Sequence, residues 1–183
     1  MQAIYGTPLQ WVVMLAPIGL VFFLAAKVHS MKASTAQTLF WVYAGSMGLS
    51  LAYVFAVYTG ESVARVFFIT AGAFAGLSLY GYTTKRNLSG MGSFLIMGVI
   101  GLLIAAVVNM FLESSALQFA ISVLGVLIFA GLTAYDTQKI KSIYMESDGT
   151  AVAEKKAIMG ALTLYLDFIN MFIFMLHLFG NRE

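Results

Sequence analysis

The sequence predicts an all-α polytopic membrane protein, in which a bundle of helices crosses a lipid bilayer. Of its 183 residues, 61% are hydrophobic and only 10% are charged, and the mean hydropathy is +0.90. Soluble domains contain about 25% charged residues, so most of this chain cannot face water. The high hydrophobicity and the net charge of +2 also exclude a disordered chain. The lipid bilayer is therefore the first partner that the composition predicts.

Six stretches are apolar over about the 20 residues that a helix needs to cross the hydrocarbon core. The predicted spans are residues 9–26, 37–59, 63–84, 91–112, 116–135 and 157–179. Lys27 ends the first span, Glu61 separates the second from the third, and Lys85 and Arg86 end the third. Glu113 ends the fourth span, and a polar segment, residues 136–156, separates the last two. We expect these spans to form a single domain over residues 1–183.

The basic residues predict how the spans are oriented. Of the ten Lys and Arg residues, eight lie in the first, third and fifth loops. Cytoplasmic loops carry an excess of Lys and Arg, so these odd-numbered loops are expected to be cytoplasmic. Residues 1–8 hold no basic residue, so the first span lacks the charged start of a cleaved signal peptide.

Several classes of function are disfavoured by residues that the chain lacks. The basic residues are spread over short segments without a basic patch, so nucleic acid is not an expected partner. Without cysteine there is no disulfide, no thiolate nucleophile and no Cys-ligated metal. No phosphate-binding glycine loop and no His-Glu-x-x-His motif occurs, and we expect no bound cofactor. Gly72 and Gly76 have the spacing of close-packed membrane helices, and we interpret them as packing residues.

Two acidic residues lie where a membrane span makes a charge costly. Asp167 is about ten residues into the last span, ~15 Å from its cytoplasmic start, and Asp136 ends the fifth helix. A charge at the centre of a span costs roughly 2.5–3.5 kcal/mol, so such groups persist where they pair, line water or perform chemistry. The two helices are consecutive and antiparallel. We therefore expect the two carboxyl groups to meet, with the fifth helix tilted or broken near Asp136.

Such a pair has a defined chemistry. Two carboxyl groups in one low-dielectric site cannot both ionise cheaply, so they share a proton. With one proton the pair is held by a short hydrogen bond, and when fully ionised it repels and offers the oxygen ligands that Ca²⁺ prefers. Asp136 and Asp167 are thus predicted to sense pH, to gate, and to bind Ca²⁺ transiently. The alternative is structural, with Asp136 a boundary residue near Lys139 and Lys141 and Asp167 in a structural hydrogen bond.

Three polar residues are candidate supports for this pair. Asn170 follows Asp167 by three residues and so shares its helix face, and Tyr135 directly precedes Asp136. His177 lies ten residues beyond Asp167, near the outer end of the last span, where a plain interfacial role is the alternative.

The residues around the two aspartates resemble a known family. Residues 131–141 read Gly-Leu-Thr-Ala-Tyr-Asp-Thr-Gln-Lys-Ile-Lys, and residues 164–172 read Leu-Tyr-Leu-Asp-Phe-Ile-Asn-Met-Phe. With residues 77–89, Leu-Ser-Leu-Tyr-Gly-Tyr-Thr-Thr-Lys-Arg-Asn-Leu-Ser, these segments closely resemble the Bax inhibitor-1 (transmembrane Bax inhibitor motif) family, with the look of a bacterial member. The resemblance covers most of the chain from about residue 8.

The resemblance implies a seven-helix bundle whose last helix is central, with a pH-sensitive aspartate pair that matches Asp136 and Asp167. It implies a multi-pass protein of the bacterial inner membrane. Family members are associated with calcium leak across membranes, and some bacterial members instead bind a membrane-anchored ATP-dependent protease.

The sequence departs from the family pattern in three ways. Six spans are seen instead of seven, so the family's first helix is expected to be absent. Some members carry an acidic residue in the helix that matches residues 9–26, whereas no acid precedes Glu61 here. His177 stands where relatives often have Arg, so a titratable group replaces a permanent cation.

Three functions follow as alternatives. The first is a pH-sensitive Ca²⁺ leak gated by Asp136 and Asp167, and the second is a regulator that binds a membrane-anchored ATP-dependent protease. The remote third is an intramembrane aspartyl protease. Such enzymes carry Gly-x-Gly-Asp at the second aspartate and a Pro-Ala-Leu signature, whereas this chain has Leu-Tyr-Leu-Asp and only the prolines Pro8 and Pro17. We therefore expect the protein not to be an enzyme.

Overall fold

The computed structural model describes residues 19–21, 23–24, 26–28, 30–144 and 147–182, and in this part of the chain the regular structure is helical. The helices are α1 Ala33–Leu51, α2 Val54–Val57, α3 Gly60–Thr83, α4 Ser89–Leu112, α5 Ser115–Ile143 and α6 Thr150–Phe179. The β-structure recorded among these residues is an isolated antiparallel bridge between Tyr58 and Arg182. The prediction of an all-α protein is confirmed.

Five helical stretches are long and apolar enough to cross a membrane. They are Ala33–Val57, Gly60–Thr83, Ser89–Leu112, Ser115–Ile143 and Thr150–Phe179, which match the second to sixth predicted spans. The first predicted span, residues 9–26, lies largely outside the described residues. Large apolar side chains such as Phe111, Met110 and Phe68 are 84%, 75% and 73% exposed. A surface of this kind is suited to lipid, which confirms the polytopic membrane class.

The helices on either side of the last loop are longer than the sequence predicted. We expected α5 to end near Tyr135 and the next helix to begin near residue 157, but α5 runs to Ile143 and α6 begins at Thr150. Hydropathy locates the membrane boundary, whereas a helix continues into water wherever its backbone hydrogen bonds are satisfied. Asp136 is thus inside an unbroken helix, about 10 Å before its end, and no break brings it toward Asp167.

The chain separates into two compact groups of contacts. One comprises Met1–Val57 and Tyr144–Leu162, and the other Tyr58–Ile143 and Thr163–Glu183. In the first group Tyr43 and Leu24 are fully buried, and Lys156 forms an ion pair with Asp148 at 2.6 Å. The prediction of a single domain over residues 1–183 stays a prediction.

In the second group, α5 packs against both α3 and α4. Glycines permit the closest approaches: a Cβ at Gly81 of α3 would collide with the backbone oxygen of Ala134, and one at Gly98 of α4 would lie 2.8 Å from the side chain of Ile128. By contrast, a Cβ at Gly72 or Gly76 would meet no described atom within 4 Å. The packing role predicted for those two glycines is therefore not seen among the described residues.

The C-terminal part of α6 contacts α3 and α5 through aromatic rings. The Phe168 ring lies 5.6 Å from that of Phe67 and 5.4 Å from that of Phe74, both on α3. On its other side, Phe174 stacks on Phe129 of α5 at 5.9 Å. These contacts pack the C-terminal part of α6 against both α3 and α5.

Candidate functional site

The structure brings the two predicted aspartates together. Asp136 of α5 and Asp167 of α6 are hydrogen-bonded through their side chains, which requires one of the two carboxyl groups to hold a proton. Asp167 is 4% exposed, and its Oδ2 has no hydrogen-bond partner among the described residues. In the described part of the chain no Lys or Arg forms an ion pair with either aspartate. The pair therefore has the geometry of two carboxyl groups that share a proton.

The position of Asp136 is fixed by the polar residues that follow it on α5. Gln138 Nε2 donates to the Arg86 carbonyl oxygen at 2.8 Å, and Gln138 Oε1 accepts from the Leu88 N–H at 2.9 Å. Lys141 Nζ donates to the Tyr82 carbonyl oxygen at 2.8 Å and lies 4.4 Å from the centroid of the Tyr82 ring. These bonds fasten the end of α5 to α3 and to the loop that follows α3.

The aspartate pair lies in a cavity of about 340 Å³ between α4, α5 and α6, which we name the aspartate cavity. Its other walls are largely apolar and include Ile96, Leu132 and Leu166. An apolar wall disfavours ionised carboxyl groups, so it favours the shared proton.

The candidate supports lie close to the pair, but their bonds go elsewhere. Asn170 lines the aspartate cavity, and its Nδ2 donates to the Leu166 carbonyl oxygen at 2.8 Å. Tyr135 also lines this cavity, with its ring 5.9 Å from Lys139 Nζ and packed closely on Gly92. The supporting roles predicted for Asn170 and Tyr135 stay predictions.

His177 is not brought to the aspartate pair. It lies about 15 Å along α6 from Asp167, at the end of the helix group where Glu113 and Arg182 are found. Its ring makes an edge contact with Phe174 at 6.5 Å, and its Nδ1 is buried without a hydrogen-bond partner among the described residues.

The alternative role, in which Asp136 is a boundary residue beside Lys139 and Lys141, stays open: Lys139 lines the same cavity as Asp136. Lys141 is bonded to Tyr82, and Lys139 acts on Asp136 only through its charge. No group of three or more His, Cys, Asp or Glu side chains arranged to hold a metal ion occurs in the part of the chain that the structure describes. Two carboxylates alone suit a weakly held, transient Ca²⁺ better than a resident ion.

Sequence reasoning missed Gln138 and Gly81, which position α5 around Asp136, and it did not predict that Lys141 bonds to Tyr82. The two polar residues fall in a segment expected to be a loop, and Gly81 lies outside any glycine repeat. A helix that continued to Ile143 would have placed Gln138 and Lys141 on a different face of α5 from Asp136, where they bond to Tyr82, Arg86 and Leu88.

Comparisons with known proteins agree with the resemblance around the aspartates. A family model described as "Inhibitor of apoptosis-promoting Bax1" matches residues 1–183. An uncharacterised protein of Caulobacter vibrioides is 54% identical over 179 residues, which are 97% of this chain and 72% of that protein. Inner membrane protein YbhL of Escherichia coli K12 is 48% identical over 171 residues, covering 92% of this chain and 73% of that protein.

A further relative, an uncharacterised protein of Rickettsia prowazekii, is 50% identical over 182 residues, which are 100% of this chain and 75% of that protein. Neither the family description nor these names indicates an enzymatic activity. From the model match and from these relatives we conclude that the chain belongs to the Bax inhibitor-1 family of integral membrane proteins.

Proposed function

We propose that this protein is a Ca²⁺ leak pathway of the cell inner membrane, closed at acidic pH and opened when Asp136 and Asp167 are both ionised. The observation that carries the proposal is the hydrogen-bonded aspartate pair inside an apolar cavity between membrane-spanning helices. A structural role would be served equally well by an amide, whereas two carboxyl groups add a response to pH.

At acidic pH the pair holds one proton, and the hydrogen bond latches α6 onto α5. As the pH rises this proton leaves, the hydrogen bond is lost, and two negative charges face each other. At 4 Å and an effective dielectric constant of 20, two like charges repel by about 4 kcal/mol. That energy is comparable to a large part of the stability of a folded domain, so it is sufficient to separate two helix segments.

The separated carboxylates would also attract the ion that passes. Hard cations prefer carboxylate oxygens, and two such groups carry more charge than the one Lys139 on the cavity wall offsets, which would favour a divalent cation over a monovalent one. The pair lies toward the end of the helices that carries Lys85, Arg86, Lys139 and Lys141. Because cytoplasmic loops carry an excess of basic residues, this supports a gate on the cytoplasmic side.

The proposed role involves no chemistry on a substrate. The residues before Asp167 are Leu-Tyr-Leu, not the glycines of intramembrane aspartyl proteases. Binding to a membrane-anchored ATP-dependent protease is the competing non-enzymatic function, and it needs no ion pathway.

The test is Ca²⁺ flux into liposomes that carry the purified protein, measured at pH 6 and pH 8. We expect flux to rise with pH in the wild type. In Asp167→Asn or Asp136→Asn the amide and the remaining carboxyl group still form a hydrogen bond but cannot repel, so flux should stay low at both pH values.

Glu154→Gln is the matched control. It removes one carboxylate from the same helix, at an exposed position outside the cavity, and should leave the pH dependence unchanged. Flux with an unaltered pH dependence in both Asp→Asn variants would overturn the gating mechanism. Absence of flux above that of empty liposomes at either pH would overturn the leak and favour the protease-binding function.

A further inference from the structure

The aspartate cavity is one of four cavities that follow one another along α4, α5 and α6. At the basic end, a cavity of about 420 Å³ shares Tyr135 and Lys139 with the aspartate cavity. On the other side, the aspartate cavity shares Phe129 and Asn170 with a cavity of about 570 Å³, which we name the apolar cavity. Each neighbour in the series thus has wall residues in common with the next.

The apolar cavity in turn shares Gln118 and His177 with a fourth cavity of about 400 Å³, the histidine-end cavity. Along α5, the distance from Lys139 to Gln118 is about 31 Å at 1.5 Å per residue. The hydrocarbon core of a bilayer is about 30 Å thick. The four cavities therefore span the thickness of the membrane.

The histidine-end cavity is polar, and its walls are held in place. Asn109 Nδ2 donates to Gln118 Oε1 at 3.2 Å, and Asn109 Oδ1 accepts from the Ser114 N–H at 3.0 Å. The segment that carries Arg182 is anchored to the start of α3 by the bond from the Asn181 N–H to Ser62 Oγ at 2.8 Å. Hydrogen bonds therefore fix the polar walls of the histidine-end cavity in place.

Resting on the proposed leak function, we propose that the histidine-end cavity takes up the hydrated cation and that His177 controls its passage into the apolar cavity. His177 lines both cavities, so it lies at the junction between them. Its buried Nδ1 has no hydrogen-bond partner among the described residues, which leaves that nitrogen available for a water molecule or a proton.

The charges that face His177 determine whether its protonation favours or opposes the entry of a cation. Glu113, after α4, contributes one carboxylate to the cavity wall, Arg182 contributes one cation, and α5 contributes the uncharged Gln118 and Ser122. Neutral His177 leaves the two opposite charges balanced. Protonated His177 adds a second cation beside Arg182, so an entering cation is repelled. Acid therefore closes this junction and the aspartate latch together.

The route is tested by cysteine accessibility, because the chain has no cysteine of its own. Ala106→Cys lies on the wall of the apolar cavity. Val108→Cys is the matched control: it is closer to the histidine end but is not a wall residue of the four cavities. A cationic, membrane-impermeant thiol reagent is applied to proteoliposomes that contain each variant.

We expect Ala106→Cys to react at least tenfold faster than Val108→Cys, because a thiol in lipid stays protonated and unreactive. If depth alone set the rate, Val108→Cys would react faster. The pair Met110→Cys and Phe111→Cys, where only Met110 lines the cavity, repeats the comparison. Equal or reversed rates in both pairs overturn the route.

The role of His177 is tested by the same reaction at pH 6 and pH 8. Each rate is divided by that of Ser115→Cys at the cavity rim, which removes the pH dependence of the thiol itself. The normalised rate at Ala106→Cys should be lower at pH 6 than at pH 8, since a nearby positive charge lowers the local concentration of cations, and should become independent of pH in His177→Gln.

An identical pH dependence with and without His177 would overturn the control role. Labelling requires neither Ca²⁺ flux nor an intact aspartate pair. If labelling follows the expectation while Ca²⁺ flux is absent, the route stands and the leak function fails. If flux is present but labelling shows no preference for the cavity wall, the leak stands and this route fails.

Discussion

The contact between Gly81 and Ala134 sets the distance between α3 and α5, and substitution of Gly81 by Ala is expected to destabilise the protein. An added Cβ would collide with the Ala134 carbonyl oxygen and lie 2.9 Å from both the carbonyl carbon and the Cα of that residue. All three are backbone atoms, so no side chain can rotate away. The two helices must separate, and overpacking of this kind costs about 1–3 kcal/mol.

Alanine also has a better helix propensity than glycine, by about 1 kcal/mol, so the net loss of unfolding free energy for Gly81→Ala is at most about 2 kcal/mol. Gly76→Ala is the matched control on the same helix, since its Cβ would meet no described atom within 4 Å. It gains the propensity without the collision. For a chain of this length 1 kcal/mol corresponds to roughly 2–4 °C in the unfolding midpoint.

The assay is thermal unfolding in detergent micelles, followed by circular dichroism. Gly81→Ala should unfold several degrees below the wild type, and Gly76→Ala at the same temperature or slightly above it. Equal midpoints for the two variants would refute the close approach of α3 and α5. Since Ala134 lies two residues before Asp136, the pH dependence of Ca²⁺ flux should also change in Gly81→Ala and not in Gly76→Ala.

Three further predictions concern the aspartate pair and its supports. Gln138→Ala removes both hydrogen bonds to the loop between α3 and α4 and leaves the Leu88 N–H unpaired. The unfolding free energy should therefore fall by about 1–3 kcal/mol, and an unchanged thermal midpoint would contradict this. Asp167→Asn should raise the thermal midpoint most at alkaline pH, where both carboxyl groups of the wild-type pair ionise and repel, and change it less at pH 6, where the wild-type pair holds a proton; equal shifts would contradict the shared proton. Spin labels at Thr83→Cys and Ser142→Cys should keep the same separation at pH 6 and pH 8, whereas labels at Ser142→Cys and Leu164→Cys should move apart at pH 8; a change in both distances would mean that α5 is the moving helix, and an unchanged second distance would contradict the separation of α5 and α6.

The sequence was sufficient for the class of fold and for the aspartate pair. Hydropathy identified five spans that the structure contains, since burial in lipid acts on whole segments of about 20 residues. The cost of a charge in a span singled out Asp167, and the antiparallel order of consecutive helices indicated Asp136 as its partner.

The sequence did not predict the C-terminal end of α5 or the start of α6. Hydropathy marks where a span leaves the membrane, but the helix itself can continue into water. Asp136 was therefore placed at a helix end when it lies in the interior of α5. The contacts of Gly81 and Gln138 also stayed hidden, because they join residues about 50 positions apart, and only the packing of α3 and α4 on α5 brings them together.

The distribution of these contacts indicates which helix responds when the pair ionises. Around Asp136, α5 is held by the backbone contact at Gly81, by both ends of the Gln138 amide and by Lys141. Around Asp167, the Asn170 amide donates within α6, and the ring contacts of Phe168 with α3 and of Phe174 with α5 can slide without the loss of a hydrogen bond. Repulsion of two carboxylates acts equally on both helices, so the less constrained one moves. The gate is therefore expected to be α6, which rotates or shifts against a fixed α5, and not a symmetrical opening of the bundle.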